Sequence, residues 1–81
     1  MGYHINKIDK GEVGEFSKIK EEFQELEDAY LQKDKVLEVC ELTDLIGAIE
    51  LYSKNKYNLT LEDLKKFSDK TQSSFKDGTR K

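Results

Sequence analysis

The stretch LEVCELTDLIGAIELY, residues 37–52, decides the fold. Wound as a helix at about 100° per residue, it aligns Leu37, Glu41, Asp44, Ala48 and Leu51 along one seam. Val36, Val39, Cys40, Leu42, Leu45, Ile46 and Ile49 cover nearly every other direction, which marks a helix buried on all sides. Two carboxylates therefore sit in the middle of an apolar seam. Burying ionised carboxylates without partners costs several kcal/mol, so something must compensate Glu41 and Asp44.

Upstream, residues 15–32 are predicted as a first helix, with Phe16, Ile19, Phe23, Leu26 and Tyr30 repeating at the spacing of one apolar stripe. Glu22 and Glu25 flank that stripe, Glu21 is expected further round toward solvent, and Ala29 is small enough to let another helix approach. Lys33 and Asp34 interrupt the pattern, and Asp34 is a natural N-cap for a second helix over 35–53. Residues 54–58 read as a polar turn. Thr60, followed by Asp63, then opens a third helix over 60–77 with a capping box that uses the shorter acid. Residues 1–14 form an arm interrupted by Gly11 and Gly14, in which Tyr3, Ile5 and Ile8 alternate as anchors, and 78–81 form a basic tail after Gly78.

The result is one all-α domain, and a small one, at 81 residues. So few elements cannot surround the second helix, so further copies of the chain are expected to complete a four-helix core, as a homodimer or homotetramer. With 17 acidic and 14 basic residues the net charge is −3, which gives no basis for neutralising the phosphates of a nucleic acid polymer. The lone cysteine, Cys40, cannot form an internal disulfide and is expected as a small core residue in a reducing compartment. No signal-peptide pattern is visible, and no apolar run approaches the roughly 18 residues of a membrane span. The expectation is a cytoplasmic protein with no membrane partner.

The chemistry-bearing pattern is EExxE at Glu21, Glu22 and Glu25, then ExxD at Glu41 and Asp44. Two antiparallel helices would direct these carboxylates into one space, where like charges repel unless they are protonated or hold a cation. An all-oxygen set without His or Cys suits Mg²⁺, with Mn²⁺ as the alternative, and disfavours zinc or copper. Glu-x-x-His pairs of a di-iron site, an EF-hand loop, a Walker A loop and a nucleophile elbow are all absent. Lone His4 in the arm, and Tyr3, Tyr52 and Tyr57, read as surface and packing residues.

GEFSKIKEEFQELEDA, CELTDLIGAIELY and TLEDLKKFSDKTQSSFKDGTR, in that order, resemble the MazG-like nucleotide pyrophosphohydrolases, and in particular their short single-domain members from phages and bacteria. The likeness spans nearly the whole chain, including the closing Phe75, Gly78 and Arg80. It implies protomers that associate into a four-helix core, and Mg²⁺-dependent cleavage of nucleoside triphosphates to the monophosphate and pyrophosphate. Carried over by position, Glu22, Glu25, Glu41 and Asp44 are the implied metal ligands, and Glu21 completes the catalytic motif. The cations expected to hold the outer phosphates are Lys18, Lys54, Lys70, Lys76 and Arg80. The alternative is a non-catalytic helical interaction or regulatory module that retains this fold.

Overall fold

The computed structural model of the chain describes residues 7–76, with side chains described as far as residue 72. Within that range the chain forms three α-helices and no strand: α1 Phe16–Leu31, α2 Lys35–Tyr57 and α3 Leu61–Lys76.

Local chemistry sets the corners. Lys33 adopts the left-handed region (φ 58°). The Lys33 N–H donates to the Tyr30 carbonyl (3.0 Å), and the Asp34 N–H to the Ala29 carbonyl (3.4 Å). That pair of bonds closes α1 as a Schellman motif on a residue other than glycine. Asp34 then caps α2, its Oδ1 accepting from the Leu37 N–H at 3.0 Å as the sequence predicts. Three residues thus reverse the chain, and α2 runs back along α1. The far ends meet where the Asn55 amide donates to the Gly14 carbonyl (2.9 Å) and Lys56 pairs with Glu15 (3.4 Å).

The polar turn expected at 54–58 is instead the last turn of α2. Lys54 and Lys56 there favour the negative end of the helix dipole, and no Gly or Pro interrupts the run. The helix stops at Asn58, which is left-handed (φ 55°). At α3 the capping box is reciprocal: the Asp63 N–H donates to Thr60 Oγ1 (3.1 Å) and the Thr60 N–H to Asp63 Oδ2 (3.0 Å). The Thr60 N–H first, and then the Thr60 hydroxyl, hold the Asp63 carboxyl below its ordinary value.

What the hairpin buries is the main departure from expectation. Ala29, Leu37 and Ala48 are the buried apolar residues, together with Glu21, Glu22, Asp28, Glu41 and Ser53. Phe16, Phe23 and Tyr30, expected to pack inward, are exposed. So are Val36, Val39, Leu42, Ile46 and Leu51 on α2, the helix for which cover from further copies of the chain is expected, and Cys40 is exposed as well. The small side chains of Ala29 and Ala48 let the polar faces of α1 and α2 meet, which turns the apolar stripes outward. Phe16 and Tyr52 meet edge to face across the two helices (5.9 Å), and Tyr57 stacks edgewise on Tyr52 (6.2 Å).

Among the described elements, α3 packs against α2 alone. Ile46, Ile49, Leu61 and Leu64 line an apolar groove of about 680 Å³ between them. The radius of gyration is 15.0 Å, against about 12 Å for a compact chain of this length. The described chain is therefore more open than a self-contained domain. No described helix is long and apolar enough to cross a membrane.

Candidate metal centre

The carboxylates picked out by spacing are brought together. Glu21, Glu22 and Glu25 project from one face of α1, and Glu41 and Asp44 meet them from α2. Carboxylate oxygens of Glu21, Glu22 and Glu25 lie within 4.8 Å of one another, as do those of Glu22, Glu41 and Asp44. Glu22 belongs to both triads and is the hinge of the cluster.

Burial differs from the expected pattern at two members. Glu21, expected toward solvent, is only 5% exposed, comparable to Glu22 at 6% and Glu41 at 5%. The reason is the segment before α1, which folds back so that the Gly11 N–H donates to Glu21 Oε1 at 2.8 Å. Gly11 lies so close to the first turn of α1 that a Cβ there would meet the Ser17 carbonyl oxygen at 2.3 Å, so only glycine fits. Asp44, expected in the buried seam with Leu51, is exposed, as Leu51 is. The seam is covered at Leu37, Glu41 and Ala48, and Asp44 closes the cluster from its solvent edge.

Lys18 is a cation that enters the cluster. Lys18 Nζ lies 3.1 Å from Glu21 Oε1 and 3.0 Å from Glu22 Oε2. Its bonds to Glu22 and then Glu21 raise the lysine pKa above its ordinary value. Burial works against the charged form of Glu21, yet the Gly11 N–H and the Lys18 ammonium outweigh it and hold that carboxyl below its ordinary value. Glu25 goes the other way, pushed up to about 7 by burial and then by the charges of Glu22 and Glu41. Two neighbouring carboxyls thus shift in opposite directions, Glu21 drawn down by the Gly11 N–H and Lys18, and Glu25 pushed up by burial and by its acidic neighbours.

Glu22 Oε1 is buried and has no hydrogen-bond partner. An orphaned carboxylate oxygen at the junction of two triads fits a hard divalent cation, which takes oxygen donors at about 2.1 Å.

The remaining expected cations are not gathered here. Lys54 lines a shallow groove with Val13, Gly14, Leu51, Asn55 and Asn58, and Lys70 a small one with Asp63, Lys66 and Phe67. Neither groove includes a carboxylate of the cluster. The Lys76 side chain and Arg80 lie outside the described residues, as do His4 and Tyr3. Sequence reading missed the Gly11 latch, whose partner is ten residues away, and missed that Lys18 serves the carboxylates. The second was accessible, since Lys18 stands three and four residues before Glu21 and Glu22.

No protein-family model, curated protein or solved structure matches this chain.

Proposed function

We propose that the chain is a divalent-cation-dependent nucleoside triphosphate pyrophosphohydrolase, converting an NTP or dNTP to the monophosphate and pyrophosphate in the cytoplasm. The observation that carries this reading is the buried, partnerless Glu22 Oε1 at the meeting point of the two carboxylate triads. The resemblance of EExxE…ExxD and its context to the MazG-like pyrophosphohydrolases supports the reaction class.

Glu22, Glu25, Glu41 and Asp44 are the residues that would hold Mg²⁺ or Mn²⁺. The bound ion supplies neutralisation of the triphosphate and a water of lowered pKa. In the reaction a water oxygen bonds to the α-phosphorus, the α–β bridging P–O bond breaks, and pyrophosphate leaves with the bridging oxygen. The proton lost by the water needs an acceptor near neutrality. Glu25 takes that role where it does not itself ligate the ion, the value of about 7 belonging to the cluster without one. Glu21 Oε1 already accepts from Gly11 and Lys18, which makes Glu21 a fixed wall of the site.

The outward apolar faces of α1 and α2 support association of protomers into a four-helix core. Lys54, Lys70, Lys76 and Arg80 are then candidates to hold the outer phosphates in the assembled protein.

Incubation with a panel of NTPs and dNTPs, in Mg²⁺ or in EDTA, with pyrophosphate assayed directly, tests the reading. Metal-dependent pyrophosphate that is lost in Glu41→Ala is the expected result. A folded, associated protein with no turnover on any of them would transfer the assignment to a helical interaction module, for which the exposed apolar faces would be the functional surface.

A further inference from the structure

We propose that the Lys18 ammonium stands in for a cation in the Glu21–Glu22–Glu25 half of the cluster, so that without nucleotide the chain takes one divalent ion, at Glu22, Glu41 and Asp44, rather than a pair. The inference rests on the metal-centre reading above and specifies its stoichiometry.

The two triads are differently furnished. In the first, Glu21 Oε1 accepts from both the Gly11 N–H at 2.8 Å and Lys18 Nζ at 3.1 Å, which fills the two lone pairs of that oxygen. Glu25 makes a further hydrogen bond to Glu21. A divalent ion using that oxygen would displace a backbone amide as well as the ammonium. That amide is held against Ser17 by the close approach of Gly11 and cannot easily retreat. In the second triad Glu22 brings an oxygen, Oε1, that is buried with no hydrogen-bond partner.

Lys18 is not an ordinary surface pair. The comparison within this chain is Lys65 with Asp69, 2.8 Å apart, whose side chains are 73% and 60% exposed. Lys18 is 25% exposed, and its partners Glu21 and Glu22 are 6% and 8% exposed at the side chain. It also sits in the first turn of α1, where the helix dipole disfavours a positive charge and no acidic residue of that turn offsets it. Glu21 and Glu22 are what hold the ammonium in place. A compact, strongly hydrated ammonium with three donors is suited to fill an oxygen-lined position in this way.

The test is a Mn²⁺ titration of the full chain without nucleotide, read by calorimetry and electron paramagnetic resonance. The expected result is one bound ion per chain in the wild type. Lys18→Met should bind two ions with the spin-coupled signal of ions about 4 Å apart, and Lys18→Arg should return to one. Two ions per chain in the wild type would overturn the proposal, whether or not any variant folds. One ion in both the wild type and a helical Lys18→Met would overturn it too, while leaving the metal centre standing. No bound Mn²⁺ in either protein would remove the metal centre itself. If Lys18→Met loses its helical circular dichroism, Lys18→Gln takes its place under the same criteria.

Discussion

Between α1 and α2 the chain buries Glu21, Glu22, Asp28 and Glu41, whereas on the outside of the same two helices Phe23, Tyr30, Val36, Val39 and Ile46 face solvent. The two surfaces exchange the usual roles of polar and apolar side chains. Ala29 and Ala48 explain how the inner surface closes, since small residues let the backbones approach where long acidic stems fill the rest. The outer surface shows why such a hairpin is not sufficient by itself. Its apolar burial, worth about 25 cal/mol per Å² removed from water, is not realised among the described residues. The inner surface is thus acidic and largely buried, and the outer one apolar and exposed.

The largest expected effect falls on the inner surface. Glu41→Ala should lower pyrophosphate release by about 100-fold or more with helical content retained by circular dichroism. A variant that turned over normally would sever the link between buried carboxylates and chemistry. On the outer surface, Ile46→Asp should shift the mass seen by light scattering toward the single chain. It should also weaken the assembly by roughly 2 kcal/mol per protomer, the burial lost from one large aliphatic side chain. An unchanged mass would mean that this face is ordinary surface.

A subtler effect comes from Glu25. Its folded-state pKa of about 7 lies above the ordinary 4.5, so the folded chain holds this proton more tightly than the unfolded one. The associated stability is fully present below the ordinary value and is lost as pH rises through about 7. In EDTA the melting temperature should therefore fall across that interval, and Glu25→Gln should flatten the fall. The same slope in both proteins would assign it to another group. The smallest effect belongs to the corner that both surfaces share. Asp34→Ala removes the cap on the Leu37 N–H and should cost about 1 kcal/mol in denaturant unfolding.

Much of this was legible before any coordinates. Periodicity placed all three helices, and Asp34 and Thr60 with Asp63 act at the caps that their residue types predict. The three-residue spacings of Glu22 with Glu25 and of Glu41 with Asp44 correctly put each pair on a common face. Periodicity does not say which face of a helix turns inward. Of the stripe Phe16, Ile19, Phe23, Leu26 and Tyr30, three members lie exposed and Ile19 and Leu26 half-buried. The end of α2 was set too early because Lys54–Tyr57 looks polar, though polar residues with good helix propensity continue a helix as well as apolar ones do. The burial of Glu21 depends on Gly11 folding back over α1, a contact that no local pattern encodes.

The corner between α2 and α3 has a consequence for how the chain opens. Asn58 ends one helix, the Thr60–Asp63 box begins the next, and among the described residues α3 makes no contact with α1. Helix α3 therefore holds its shape by local bonds and shares little with the hairpin. In hydrogen exchange its amides should report a small, separate opening event, while those of α1 beneath α2 wait for a larger one. The described helices should then behave as two units of unequal stability joined through residues 58–60, with heat or denaturant releasing α3 first.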